Sequence, residues 1–303
     1  MVEVTSVLDA TEEQTSLDLY NETWPHSRYA LPEVHSYKES LLAHADLLAR
    51  TDGKALGSGF AAVHAGFPER VLALVTVPSR HRRRGAGTAL YRAISDWARE
   101  RELETLEARV ADDDPESLAF ALRRGFVEKR REPGVALDLT ATKPPPVEAP
   151  PGIEVVSWAE RPELARGMYG VMRDASPDVP GFEDEELESF EDWLAHDMEG
   201  SGDRPEATFV AVTEDEVVGY AKFSLTEATP TVAHHDLTAV KRAWRGRGVA
   251  RALKSAQIGW AKANGYEELR TTNDERNTAM RQLNAELGYR PTTGRIFLQG
   301  PLA

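Results

Sequence analysis

Two short stretches of this sequence combine arginine and small residues in a spacing that suits a phosphate group. Arg82-Arg83-Arg84-Gly85-Ala86-Gly87 follows an apolar run ending at Val77. Arg245-Gly246-Arg247-Gly248-Val249-Ala250 follows a second run ending at Val240. Both fit Arg-x-x-Gly-x-Gly/Ala between an expected strand and an expected helix. Small residues let the backbone turn tightly and come close to a ligand. Free N–H groups at a helix start make an anion site, and arginines add charge-assisted hydrogen bonds. The chemistry implied is a cradle for a pyrophosphate. Neither loop carries the Gly-x-Gly-x-x-Gly of dinucleotide-binding turns. Neither is followed by the Lys-Ser or Lys-Thr of a nucleotide-triphosphatase loop.

The elements around the two loops repeat. A shift of 163 residues aligns Leu74–Phe126 on Leu237–Tyr289 without a gap, and 13 of the 53 positions are identical. The period is that of a whole domain, so the chain carries a duplication and not a solenoid. In the second copy the pattern predicts strands at Ile153–Trp158, Thr208–Val212, Val217–Leu225, Thr231–Val240, Leu269–Thr272 and Arg295–Leu298. Helices are expected between Pro162 and Asp197, over Gly248–Asn264 and over Asn277–Leu287. The first copy matches, with a hairpin around Thr51–Lys54, strands Val71–Val77 and Thr105–Val110, and helices Gly85–Arg101 and Pro115–Arg124. This order predicts an α+β fold, each domain holding a mixed, mostly antiparallel central sheet flanked by helices. Five prolines within Thr140–Gly152 favour an extended spacer. The expected domains are therefore residues 1–143 and 153–303, joined by a linker over 144–152.

The loop and its setting resemble motif A of the GNAT superfamily of N-acetyltransferases, in which this turn holds the pyrophosphate of coenzyme A. The resemblance extends to Asn277, Met280, Leu283 and Gly288-Tyr289 in the second copy, which is the closer match. The tandem layout is similar to that of mycothiol synthase-like proteins, whose C-terminal half carries the activity. The resemblance implies acetyl-CoA as cosubstrate and no metal. It implies cofactor contacts from Arg245, Gly246, Arg247, Gly248, Val249, Ala250 and Asn277, and from Arg82, Arg83, Arg84, Gly85, Ala86 and Gly87 in the first copy. It also implies that the pantetheine arm pairs like an added strand with Thr238, Ala239 and Val240, or with Val75, Thr76 and Val77.

Acyl transfer to an amine needs a proton acceptor, donors for the thioester oxygen and a proton for the leaving thiolate. Family members often place the acceptor on the fourth strand. Here that strand carries His234, His235 and Asp236. Strict alternation puts His234, Asp236, Thr238 and Val240 on one face unless a bulge intervenes, so His234 and Asp236 are the candidate catalytic residues and His235 is expected to be tolerant. The equivalent strand, Val71–Val77, has no ionisable side chain. Asp114 replaces Asn277, an acid being a poor neighbour for an anionic cofactor. The N-terminal domain is therefore expected to be non-catalytic. Where the family's usual acid is a tyrosine, this sequence has Asn284 and Ala121, and an asparagine supplies no proton near neutral pH. That absence leaves a second reading, a non-catalytic acyl-CoA-binding regulatory protein.

Composition bounds the partners. A formal net charge of −14 repels nucleic acid. The absence of cysteine excludes disulfides and thiolate metal sites and fits a reducing cytoplasm. No apolar run approaches a membrane span, and Glu3 and Asp9 do not fit a secretion signal. Eight acidic residues between Asp178 and Asp192, with no basic one, are expected to wall the acceptor site and to favour a small cationic amine. Trp24, His26, Tyr29, His35 and Tyr37 fall in the counterpart region of the first copy.

Overall fold

A computed structural model of the chain describes residues 1–179 and 188–303. They form two compact units, Met1–Glu132 with Thr293–Ala303, and Pro133–Thr292. The N-terminal unit runs β1 (Glu3–Ser6), α1 (Ala10–Thr23), α2 (Leu31–Glu39), β2 (Leu41–Thr51), β3 (Lys54–His64), β4 (Phe67–Thr76), α3 (Ala86–Arg99), β5 (Thr105–Ala111) and α4 (Pro115–Leu122). Strand β6 (Val127–Asp138) follows. The C-terminal unit continues with β7 (Glu154–Ser157), α5 (Ala165–Ala175), α6 (Phe190–Trp193), β8 (Phe209–Val212), β9 (Val217–Leu225), β10 (Val232–Val240), α7 (Val249–Ala263), β11 (Glu268–Thr272) and α8 (Thr278–Glu286). The last strand is β12 (Arg290–Pro301).

The sheet of the N-terminal unit has the order β1-β2-β3-β4-β5-β12, and that of the C-terminal unit β6-β11-β10-β9-β8-β7. Within each, one pair is parallel, β4 with β5 and β10 with β11. The other pairings described within each sheet are antiparallel. This is the mixed, mostly antiparallel arrangement expected.

The unit boundaries fall elsewhere than the expected break at 144–152. Arg295–Pro301 of β12 pair with Thr105–Ala111 of β5 in the N-terminal unit. Gly134–Asp138 of β6 pair with Glu268–Thr272 of β11 in the C-terminal unit. Each sheet is thus completed by a strand from beyond the expected boundary. The physical reason is that a strand's residues specify an extended backbone, whereas the partner is chosen by tertiary context. The proline-rich residues 144–150 have neither helix nor strand, but they lie inside the C-terminal unit. Just before them Lys262 Nζ donates to the carbonyls of Leu139 and Thr142 at 2.8 and 2.6 Å.

In the C-terminal unit the apolar positions of α7 recur at three- and four-residue steps, and Val249, Ala252, Leu253, Ile258 and Ala261 are buried. Val249 and Leu253 pack with Ala221 and Val240 of the sheet. Ile258 packs with Phe223 and Ala233. On the other face, Met168, Val171 and Ala175 of α5 pack with Tyr220 and Ala239. Truncating a residue such as Leu253, which is fully buried, costs about 2–5 kcal/mol. This two-sided core holds β10 between α5 and α7.

Candidate active site

Helices α3 and α7 begin differently from α1, α4, α6 and α8. Those four are capped by the side chains of Asp9, Asp114, Ser189 and Asn277. Helices α3 and α7 begin at Gly85 and Gly248, which have no side chain to offer and sit at φ +91° and +93°. The first-turn N–H groups, which have no intrahelical partner, are left for an anion. Two residues earlier the backbone is again left-handed, at Gly246 (φ +71°) and at Arg83 (φ +63°). Arginine strains that conformation where glycine does not. Arg245, Gly246, Arg247 and Gly248 are exposed, and the Arg247 guanidinium lies over the Trp244 ring at 4.9 Å. Val249 is buried and Ala250 half-buried behind the loop. In the first copy Arg83, Arg84 and Gly85 are exposed, Ala86 is buried, and Gly87 faces Phe120 so closely that a Cβ would stand 3.3 Å from its ring. Both loops therefore have the shape and charge to receive a pyrophosphate.

The first arginine of each motif has a structural duty as well. Arg245 Nε donates to Val240 O at 2.9 Å, and Arg82 Nε to Val77 O at 3.2 Å. Their remaining N–H groups meet acids. Arg82 pairs with both oxygens of Asp114 and with Glu116. Arg245 and Arg242 both bind Asp178, at 2.6 and 2.7 Å, and their hydrogen bonds hold the Asp178 carboxyl well below the usual range. Asp114 is thus not the bare acid expected beside the first cradle. It caps α4 through Ser117 N–H at 3.1 Å and is neutralised by Arg82, while Asn277 caps α8 through Met280 N–H at 3.2 Å.

Asp178, the first of the eight expected acidic wall residues, is paired with Arg242 and Arg245. Glu188 meets His196, Glu191 stands 3.6 Å from Arg166, and Asp192 binds Ser189. Glu183, Asp184, Glu185 and Glu186 lie outside the described residues.

Strands β10 and β11 pair only over Val232, Ala233 and His234, opposite Glu268, Leu269 and Arg270, and then part. Thr238, Ala239 and Val240 pair on their other side with Ala221, Tyr220 and Gly219. Their edge toward β11 is beyond the paired stretch, where an extended ligand can add as a strand. Strands β4 and β5 pair only at Val71–Leu72, and Val75 and Thr76 pair with Gly59 and Ser58. Val77, just after β4, packs against the core.

The two copies differ at the fork. The β10–β9 register shifts between His235 and Leu237, making Asp236 the bulged residue. No shift interrupts β4 between Leu72 and Thr76. The bulge overturns the alternation expected from the sequence. His234 pairs with Ser224 and Leu237 with Lys222. Leu237 and Ala239 face the α5 core. Val240 packs against α7, and Thr238 shares its face by alternation. Asp236 therefore does not share a face with Thr238 and Val240, because one extra residue intervenes.

Two clusters flank this bulge. The first holds Lys222, a lysine in an otherwise apolar strand. Its buried Nζ stands 3.0 Å from Asp236 Oδ2 and 3.0 Å from Asp203 Oδ1, and it donates to the Asp197 carbonyl. Asp197 lies in a π-helical turn, Leu194–Met198, a local form frequent at functional sites. Its carboxyl is pushed up to about 6, first by desolvation and then by Asp236, Glu188 and Asp203, with Lys222 opposing. Its surface is nonetheless open to solvent. Desolvation also pushes Asp203 up. Asp203 and Met198 line a cavity of about 640 Å³ shared with Trp158, Pro162, Arg204 and Glu206. Lys222 and Asp197 were missed in the sequence, although an isolated lysine within VVGYAKFSL was a usable signal.

The second cluster lies toward α7. His235 is buried, 6% exposed. Its Nδ1 donates to Gln257 Oε1 at 2.9 Å, which leaves Nε2 to accept from the Tyr289 hydroxyl. Burial, with the nearby Lys254 charge, drives its pKa well down, so the ring is neutral. Lys254, 1% exposed, points at the Tyr289 ring with Nζ 5.3 Å from its centre, and burial lowers it to about 7. His235, expected to be tolerant, is instead part of a buried hydrogen-bonded network. At the shift of 163 these four positions are Leu72, Tyr91, Ile94 and Phe126, and in the first copy Tyr91 packs on Phe126 at 6.0 Å. Asn284, at the usual acid position, is buried with Nδ2 donating to Asn273 Oδ1 at 2.6 Å.

Comparison with known proteins agrees with this geometry. The acetyltransferase (GNAT) family model matches twice, over residues 9–126 and 168–289. No curated protein matches significantly. Among solved structures, a tandem GNAT protein from the clavulanic acid biosynthesis pathway superposes with a TM-score of 0.78 at 22% identity, covering 99% of this chain and 98% of its own. A GCN5-related N-acetyltransferase from Sphaerobacter thermophilus gives 0.78 at 21%, covering 99% and 95%. The glucosamine N-acetyltransferase region of a fungal β-N-acetylglucosaminidase gives 0.75 at 14%, covering 98% of this chain and 38% of that one. At these identities the likenesses speak for the fold, and the two family matches speak for descent. The chain belongs to the GNAT family of acetyltransferases and carries the family's domain twice in tandem.

Proposed function

We propose that the C-terminal unit transfers an acetyl group from acetyl-CoA to the primary amine of a small cationic molecule, and that the N-terminal unit does not catalyse. Acetyl-CoA supplies the activated acyl thioester. Arg247 and the first-turn N–H groups of α7 hold its pyrophosphate, with Arg242 and Arg245 released from Asp178. The free edge of Thr238–Val240 holds the pantetheine arm. The bulge leaves a backbone N–H of Asp236 or Leu237 outside the ladder, placed to donate to the acyl oxygen.

The observation that carries this reading is the cluster beside the bulge, where Asp197, Asp203 and Asp236 surround Lys222. Its negative excess attracts an ammonium. As the amine nitrogen bonds to the acyl carbon, Asp236 takes its proton, the C–S bond breaks and coenzyme A leaves as a thiolate that takes a proton from solvent; Asp197, raised to about 6, lies in the same cluster to share the amine's proton. His234, on the last rung before β10 and β11 part, is the second candidate acceptor. The matching stretch of the N-terminal unit, Leu72–Thr76, has neither a register shift nor an ionisable residue.

The test is steady-state acetylation of a polyamine by Asp236→Asn and His234→Ala. The expected result is a fall of about 10²-fold in kcat for Asp236→Asn, with coenzyme A affinity retained and His234→Ala affected less. Loss in His234→Ala alone transfers the role to the imidazole. Full activity in both removes β10 from the proton transfer.

A further inference from the structure

The N-terminal unit holds a second cluster, of opposite sign. Arg109 stands on β5 beyond the point where β4 and β5 part. Its guanidinium carbon is 6.0 Å from the centre of the Trp24 ring. Tyr20 stacks on Trp24 at 6.4 Å and tilts against Tyr29 at 5.8 Å. Two hydrogen bonds between the Asn21 side chain and the Tyr29 backbone, 2.8 and 2.9 Å, fix that loop. Tyr37 from α2 leans on Phe60 of β3 at 6.3 Å and keeps 42% of its surface exposed. Tyr20, Trp24, Tyr29 and Arg109 are all half-buried, so each keeps a surface that a ligand can reach.

The charges there do not balance. Arg70 pairs with Glu107 at 3.2 Å. Arg130 and Arg295 both meet Glu132. Arg109 has no carboxylate within ion-pair distance among the described residues. Burial opposes its charge, while the phenols of Tyr20, Tyr29 and Tyr37 and the more distant Glu132 favour it, leaving the group firmly cationic. Arg109 is thus, among the described residues, a cation without a paired carboxylate in a chain whose net charge is −14. A partly desolvated cation without a counter-ion is costly, and packing against aromatic rings alone is served as well by methionine. At the shift of 163 the second copy has Thr272 in this place.

We propose that this cluster binds a small ligand bearing a carboxylate on a flat apolar body. The Arg109 fork takes the carboxylate in two parallel hydrogen bonds, and Tyr20, Trp24, Tyr29 and Tyr37 receive the body on their faces. The site is independent of the proposed transfer in the C-terminal unit, and its ligand has the opposite charge.

The experiment is calorimetric or ligand-observed NMR titration of the full chain with phenylacetate, phenylacetamide and phenethylamine. The expected result is saturable binding of phenylacetate, at least about tenfold tighter than the other two. Arg109→Met abolishes it and melts no lower than wild type, because it removes an unpaired charge. Should Arg109→Met fail to fold, Tyr37→Ala, at an exposed position, weakens phenylacetate about threefold or more. No phenylacetate binding up to about 10 mM, equal binding of acid and amide, preference for the amine, or undiminished binding in the variants overturns the proposal.

Discussion

At the scale of single residues, the partner of each charge decides what it is free to bind. Asp178 holds Arg242 and Arg245, the arginines that a pyrophosphate would engage. In the proposed binding mode it competes with the cofactor. Asp178→Asn is predicted to raise coenzyme A affinity by about two- to fivefold, the range that exposed ion pairs allow. The gain shrinks in high salt, because the groups are screened. Calorimetry at two ionic strengths measures both, and an unchanged or weaker affinity would mean that Asp178 helps to arrange the loop. Lys254 gives a prediction in pH. Its pKa is lowered from 10.5 to about 7 by burial, so the unfolded chain binds that proton more tightly. Stability is then lost as pH falls from about 10.5 toward 7 and is flat with respect to this group below 7, with a slope of at most about 1.4 kcal/mol per pH unit. Denaturant unfolding between pH 7 and 10 should show this slope in the wild type and its loss in Lys254→Met.

At the scale of elements, the polar network between β10, α7 and Tyr289 replaces what the first copy builds from Leu72, Tyr91, Ile94 and Phe126. His235→Leu alone strands Gln257 Oε1 and the Tyr289 hydroxyl and is predicted to cost about 1–3 kcal/mol. Replacing His235 by Leu, Lys254 by Met, Gln257 by Ile and Tyr289 by Phe together, which follows the first copy except at Tyr91, whose hydroxyl there donates to Pro301 O, should recover most of that loss, since a matched apolar set leaves no buried group unsatisfied. A fourfold variant less stable than the single one would show that the two cores do not interchange. The elements themselves were legible. The strand–loop–helix around Gly248 follows from small residues at fixed spacing, and α7 follows from the three- and four-residue recurrence of apolar positions. The loop itself could be located from that pattern, and α7 starts at Gly248 without a side-chain cap. The face of His235 could not be read, because a bulge is a property of two strands and β10 alone shows only alternation. Lys222 and Asp197 come together through a π-helical turn that no local pattern announces.

At the scale of the whole molecule, the duplication was visible as identities 163 residues apart, but the composition of each unit was not. Proline marks a change of backbone, whereas unit membership depends on which sheet takes up β6 and β12. It follows that a fragment of residues 1–143, which lacks β12, should be poorly folded, and that a peptide of residues 290–303 added in excess should restore protection from proteolysis. A fragment that is stable without the peptide would contradict the pairing of β12 with β5 as a requirement for folding. The two units also carry opposite local charge, acidic around Lys222 and basic around Arg109, as expected if one copy kept the transfer chemistry and the other turned to binding. The central claim is that transfer occurs at the α7 cradle. It is tested most directly by the rate of thiol release from acetyl-CoA, with a polyamine acceptor, in Gly248→Val and in Gly85→Val. Both glycines start a helix at nearly the same positive φ, so the two substitutions impose a similar local strain and each serves as the other's control. The account predicts that Gly248→Val loses turnover while Gly85→Val keeps it. Turnover retained in Gly248→Val and lost in Gly85→Val would place the chemistry in the N-terminal unit and contradict it.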